Sequence, residues 1–158
     1  MFERVIVAVD GSPTSNRGLK AAIGLASDQK AELSIVHVID SMATVSYAGD
    51  IGYIPAGYID TMLDSLRKNG RKVLAKAEAA ARDAGITAKT VLVETKGGSI
   101  ADAILGHARK LRADVIVLGT HGRRGLGRVL LGSDAEAVLH GSRVPVLLVR
   151  SPPKASRA

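Results

Sequence analysis

The sequence predicts an α/β fold: one doubly wound, five-stranded parallel sheet in the order 3-2-1-4-5, with helices on both faces. Three observations predict it. Short apolar runs without polar alternation recur along the chain, as expected of strands buried on both faces. Segments with helical spacing of apolar residues separate them. The fourth such run leads into a glycine-rich stretch, GTHGRRGLGRVLLGS from Gly119 to Ser133, of the kind that cradles an anion ahead of a helix.

In order, residues 4–9 form the first strand, and Asp10-Gly11-Ser12-Pro13 ends it. Ser12 suits an N-cap and Pro13 the first helical position of a helix that runs to about residue 29. Leu19, Ala22, Ile23 and Ala26 form its apolar stripe. Residues 32–38 form the second strand, in which His37 reads either as a ligand or as a packed, hydrogen-bonded core residue. Residues 40–59 carry Gly49, Gly52, Pro55, Gly57 and three tyrosines without any period. They read as a lid, a partner surface or a tolerated insertion.

Helical spacing returns at 60–84, with Leu63, Leu66, Val73, Leu74, Ala77 and Ala81 on one face and Gly85 as the terminating glycine. Residues 87–93 form the third strand. Ser99 and Asp102 have capping-box spacing at the start of the next helix. Strand four spans 114–118, a short helix runs from Ser133 to about His140, and Val146 to Val149 close the sheet. Residues 1–150 thus make one domain, and 151–158 read as a disordered tail.

The totals narrow the function. The chain has 158 residues, 46% hydrophobic and 23% charged, as in ordinary globular proteins. No apolar run approaches the ~20 residues of a membrane helix. Cysteine is absent, which removes disulfides, zinc–thiolate sites and thiol nucleophiles. With no signal-peptide pattern at the N-terminus, the expectation is a cytoplasmic protein. The net charge of +7 invites a nucleic-acid reading, but aromatic residues are only 3% and no binding signature accompanies them. Arg67, Lys68, Arg71, Lys72, Lys76 and Arg82 read as a solvated helix face.

Ligands of doubly wound sheets bind beyond the carboxyl ends of the strands, where strand order reverses. That expectation brings Asp10, after strand one, opposite Gly119, after strand four. The glycine loop and the helix start at Ser133 would hold phosphate oxygens by backbone N–H, with Arg123, Arg124 or Arg128 adding charge. Asp10 would bind a ribose hydroxyl or a phosphate-bridging Mg²⁺, or else simply close the turn before Pro13. The backbone at Val38 and its neighbours would meet a flat base. Ser133-x-x-Glu136 also fits a capping box, so Ser133 reads as a phosphate contact or as a cap.

The spacing Gly119-x2-Gly122-x9-Gly132-Ser133 resembles the nucleotide-binding signature of the universal stress protein family, ATP-binding type. The likeness extends to Val7-Ala8-Val9-Asp10-Gly11-Ser12, His37-Val38-Ile39-Asp40, Gly97-Gly98-Ser99, Ala113 through Gly122, and Val144 through Val149, in the right order. No Walker P-loop is present. The resemblance implies ATP with Mg²⁺ as ligand. Ala8, Val9 and the Val38 backbone would lie by adenine. Asp10 would lie by ribose, phosphates or metal, next to Ser12. Gly119, His121, Gly122, Arg123, Arg124, Gly132, Ser133 and Asp134 would surround ribose and phosphates.

It also implies a homodimer through the exposed edge Val146 to Val149. Asp134 departs from the family pattern, which more often has a small or apolar residue there; it favours the helix start but sets a carboxylate near triphosphate. The implied function is an ATP-binding stress-response regulator with little or no turnover. The alternatives are a slow Mg-dependent ATPase, with His121 and Asp10 as the nearby groups, and a dimeric scaffold with an empty site.

Overall fold

The computed structural model describes residues 1–41, 55, 57–95, 97–120 and 131–150. Much of the segment 40–59, read as a lid, a partner surface or a tolerated insertion, falls outside these residues, as does the tail after Arg150. The described residues fold as β1 (Arg4–Ala8), α1 (Pro13–Gln29), β2 (Glu32–Ile39), α2 (Tyr58–Asp83), β3 (Ala88–Glu94), α3 (Ile100–Lys110), β4 (Val115–Gly119), α4 (Ser133–Gly141) and β5 (Val146–Val149). The five strands pair in parallel in the order β3-β2-β1-β4-β5, as the sequence predicts.

Alternation along each central strand divides its side chains between two cores. Val5, Val7, Leu33, Ile35, Val115 and Val117 pack under α1 and α2 with Leu19, Ala22, Leu74 and Ala77. Ile6, Val36, Ile116 and Leu118 pack under α3 and α4 with Ala101, Ile104, Ala135 and Val138. This double burial is why β1 and β4 read as unbroken apolar runs. At about 1.5–3 kcal/mol for each fully buried Val, Leu or Ile, it also fixes their register, because a slip of one residue would exchange the two faces.

The helix ends follow local chemistry. Ser12 is the N-cap of α1, its hydroxyl accepting the Ser15 N–H at 3.1 Å, with Pro13 in the first turn. The Ser99–Asp102 capping box of α3 forms in full. Gly85 follows the C-cap of α2 at φ +78°. Gly70, in contrast, lies inside α2, where glycine costs about 0.5–1 kcal/mol relative to alanine. Space explains it. A Cβ there would stand 2.7 Å from both the His37 ring and Leu92, so only glycine lets α2 lie this close to β2 and β3.

Two ionic fastenings hold opposite ends of the sheet. Arg67 of α2 forms a forked pair with Glu94 at the end of β3, at 2.6 and 3.0 Å, and also reaches Asp64. Its hydrogen bonds to Glu94 first and Asp64 second strengthen its hold on its proton. At the other end, Asp114 accepts the N–H groups of Glu3 (2.9 Å) and Arg4 (2.8 Å) and the Arg4 guanidinium (3.1 Å). These contacts, the Glu3 N–H foremost, hold its carboxyl below the ordinary 3.8, against the opposing effect of partial burial.

A carboxyl held low in the folded state stabilises the fold above its unfolded value, and that contribution disappears as pH falls through the folded one. Asp114→Asn is therefore expected to lower Tm at neutral pH. The gap between variant and parent should narrow below about pH 4, as the parent loses the same interaction. Thermal melts across the acid range measure this. A gap that stays constant would mean that the asparagine effect has nothing to do with the charge.

Candidate functional site

The site sits where β1 and β4 run side by side, paired through Val5–Val115, Ile6–Ile116 and Val7–Val117. Beyond these pairs the two chains diverge. After β1 the chain turns through Asp10-Gly11-Ser12 into α1 on one face; after β4 it passes towards α4 on the other. The space between the two exits is the crevice that ligands of such sheets occupy.

The first exit is a closed network of short-range bonds. Asp10 Oδ1 accepts the Ser12 N–H at 2.8 Å, and the Asp10 N–H donates to Ser15 Oγ at 2.9 Å. Gly11, at φ +80°, takes the left-handed conformation this turn needs. Asp10 thus has the turn-closing role the sequence allowed, and that role fixes its carboxylate at the lip of the crevice, half-buried. Ser12 is buried and works as the helix cap.

The second exit is pinned as well. Thr120 is 2% exposed; its N–H donates to the Val149 carbonyl at 2.9 Å, and its carbonyl accepts the Gly132 N–H at 2.8 Å. The chain leaves β4 and re-enters α4 at one place, with residues 121–130 between. Thr120 lies within the glycine-rich stretch, but sequence reasoning gave it no role. Gly119 has a packing job besides the one its motif suggests. A Cβ there would lie 2.9 Å from the Thr14 carbonyl carbon and 3.0 Å from the Ser15 nitrogen. Gly18, one turn along α1, would meet the Gly119 nitrogen at 3.2 Å. These glycines let the first turns of α1 rest directly on the end of β4, which draws the two walls together.

At α4 the structure corrects the capping-box reading. Gly132 is the N-cap, in extended conformation, and no side chain caps the helix. Ser133 is the first helical residue, so its hydroxyl is not committed to the cap that Ser133-x-x-Glu136 implied. Because the Gly132 N–H is taken by Thr120, the backbone donors that α4 offers an anion begin at Ser133. Asp134 and Glu136 sit in the same first turn, with Asp134 exposed.

Ala8, Val9, Asp10 and Ser12 therefore converge with Gly119, Gly132, Ser133 and Asp134 about one crevice, and Val38 lies one residue before the end of the neighbouring strand. His121, Gly122, Arg123, Arg124 and Arg128 lie outside the described residues. His37 is the packed core residue of the two readings given for it: it is 3% exposed, and its Nδ1 lies 2.7 Å from the Val9 carbonyl. Among the described residues, no cluster of three or more His, Asp or Glu could hold a bare metal ion. No helix there is long and apolar enough to cross a membrane.

The model of the universal stress protein family matches residues 1–150. The universal stress protein YxiE of Bacillus subtilis is 39% identical over 151 residues, covering 95% of this chain and 100% of that protein. A solved structure from the same family, from Burkholderia pseudomallei, is 32% identical at a TM-score of 0.71, covering 93% of this chain and 96% of that one. A universal stress protein solved in complex with cAMP is 27% identical at a TM-score of 0.63, covering 94% and 96%.

The packing at Gly119 has a measurable consequence. Gly119→Ala must push α1 from β4 and is expected to cost about 1–3 kcal/mol of stability, as overpacked cores do. Urea denaturation without added ligand measures it. Unchanged stability would return Gly119 to a purely ligand-contacting role.

Proposed function

This chain belongs to the universal stress protein family, and from that premise we propose that it is an ATP-binding regulatory protein with little or no turnover. One observation carries the reading. The Asp10 turn and the α4 start, far apart in sequence, are fixed at adjacent exits of the β1–β4 pair, and each presents the group a nucleotide needs on its side. Asp10 takes a ribose hydroxyl or, through water or phosphate, Mg²⁺. The α4 N–H groups from Ser133 onward take phosphate oxygens, with the positive end of the helix dipole behind them. The Val38 backbone takes the base. The relative crystallised with cAMP supports an adenine nucleotide as the class of ligand.

Binding without rapid chemistry follows from how Asp10 is held. A general base must be aimed at the attacking water. Asp10 is aimed at its own turn, with Oδ1 on the Ser12 N–H. Asp134 adds a second carboxylate in the first turn of α4, and Mg²⁺ arriving with the nucleotide would offset part of the phosphate charge.

The partner is a second copy of the chain. β5 is an edge strand, and Leu147 on it is 40% exposed. Leu139 on the adjoining α4 is 45% exposed. Pairing through Val146 to Val149 would cover an apolar edge of the kind isolated proteins protect.

Protein purified without added nucleotide, then denatured, should release ATP or ADP near one per chain on anion exchange. Failing that, millimolar Mg-ATP should raise Tm. If neither result is obtained, the ATP reading falls. Gly122→Val is expected to abolish nucleotide binding while the apo Tm stays close to the parent's. Leu147→Lys should convert dimer to monomer in sedimentation velocity; a dimer that survives would place the interface elsewhere.

A further inference from the structure

We propose that His37 is a positioning residue for base recognition. By capturing the Val9 carbonyl it ends the β1–β2 ladder early and leaves the Val38 backbone open to the edge of an adenine base. The inference rests on the adenine-nucleotide reading above and adds the device that makes its base subsite.

The argument begins with strand alternation. Successive residues of a strand turn their N–H and C=O groups to opposite neighbours. In β2 the Val36 carbonyl accepts the Val9 N–H at 2.8 Å, so Val36 faces β1. The Ile39 carbonyl accepts the Thr95 N–H at 2.9 Å, so Ile39 faces β3. Val38, two residues on from Val36, therefore faces β1. A continuing parallel ladder would next bond the Val38 N–H to the Val9 carbonyl, and the Gly11 N–H to the Val38 carbonyl. Neither bond is made among the described residues, and the β1–β2 register ends at Ala8–Val36.

The reason for the first gap is the imidazole. His37 Nδ1 lies 2.7 Å from the Val9 carbonyl oxygen. A carbonyl only accepts, so Nδ1 carries the proton and donates it. The side chain of β2 has replaced the backbone donor of β2. The reason for the second is the turn: Gly11 swings away at φ +80° under the Asp10–Ser12 bond. The ring itself cannot withdraw, because α2 lies over it at Gly70, where a Cβ would stand 2.7 Å from His37 Cδ2.

What remains is a half-buried strand end with one donor and one acceptor on Val38, side by side and facing the crevice. Adenine offers the complement, a ring-nitrogen acceptor beside an amino donor. Guanine offers the reverse pair on the same edge, so the arrangement selects between the two bases.

Amide hydrogen exchange followed by NMR tests the device directly, in the full-length protein without nucleotide. The Val38 amide is expected to exchange much faster than the Val36 amide inside the ladder. ATP should then slow and shift the Val38 amide. A Val38 amide as protected as Val36 in the free protein overturns the proposal without any variant. His37→Phe keeps a ring and loses the donor. It should let the Val38 amide close onto Val9 and become protected, and it should weaken ATP about tenfold, the value of one well-made hydrogen bond, while eroding preference for ATP over GTP.

His37→Asn, whose amide nitrogen stands near the position of Nδ1, should restore much of both. Equal ATP affinity in a folded His37→Phe protein with an unprotected Val38 also overturns the proposal. If the parent binds no adenine nucleotide, the functional reading fails. The early end of the ladder is still decided by the exchange rates alone.

Discussion

The pairing of β1 with β4 is the constraint on which the rest of the structure depends. There the chain leaves adjacent strands for opposite faces, β1 into α1 and β4 towards α4. A crevice between two such exits is a consequence of topology rather than of any side chain. Side chains decide how wide it is. Gly119 and Gly18 let α1 settle on the end of β4, and any larger residue at either would wedge the two exits apart. Glycines that look like ligand-binding flexibility in the sequence are therefore partly rigid packing.

The second constraint is the cost of burying polar groups. An unsatisfied buried donor or acceptor costs about 1–3 kcal/mol. The carboxyl edge of this sheet buries Ser12, Ser15, His37, Thr95 and Thr120. Each has a defined task. Ser12 caps α1, Ser15 receives the Asp10 N–H, and Thr120 joins β5 to the start of α4 through its backbone. Thr95 Oγ1 reaches Asp40, and its carbonyl accepts the Ser41 hydroxyl, tying the ends of β2 and β3. The result is a scaffold whose edge is rigid on its own account. A ligand seated there meets groups already held in place and pays little for ordering them.

The sequence carried the fold plainly because its signals are local or strictly periodic. Buried strands such as Val115 to Leu118, the Ser12 and Ser99 caps, and the helix stripes each depend on a few neighbouring residues, and strand bounds differ from expectation by only a residue or so. What it did not carry depends on contacts between distant segments. The place of Gly70 inside a helix is explained only by the ring of His37, thirty-three residues earlier in the numbering, which lies beneath it. Thr120 lies inside a motif without a role that the motif explains, since its worth lies in bonds to Val149 and Gly132. Ser133 was open to misreading for the opposite reason. A capping pattern is local but tolerates a shift of one residue, and Gly132 in extended conformation took the cap instead. Of the candidate site, the two walls were legible as motifs; that they owe their positions to each other was not.

The charges about the crevice bear on what kind of protein this is. Asp10 and Asp134 bring two carboxylates to the two walls, a poor arrangement for a bare triphosphate. The donors opposing them on the described part of α4 are backbone N–H groups, whose partial charges amount to about half an elementary charge at a helix start. On the proposed reading, such a site would hold a nucleotide mainly when a divalent cation comes with it, so its occupancy would follow the metal-complexed nucleotide rather than total phosphate. A site that must be filled and emptied as that pool changes is suited to sensing. Fast hydrolysis would defeat it, because a sensor that consumes its ligand reports its own rate. On the proposed reading, the way Asp10 is turned inward to Ser12 accords with that demand: its Oδ1 is spent on holding the wall.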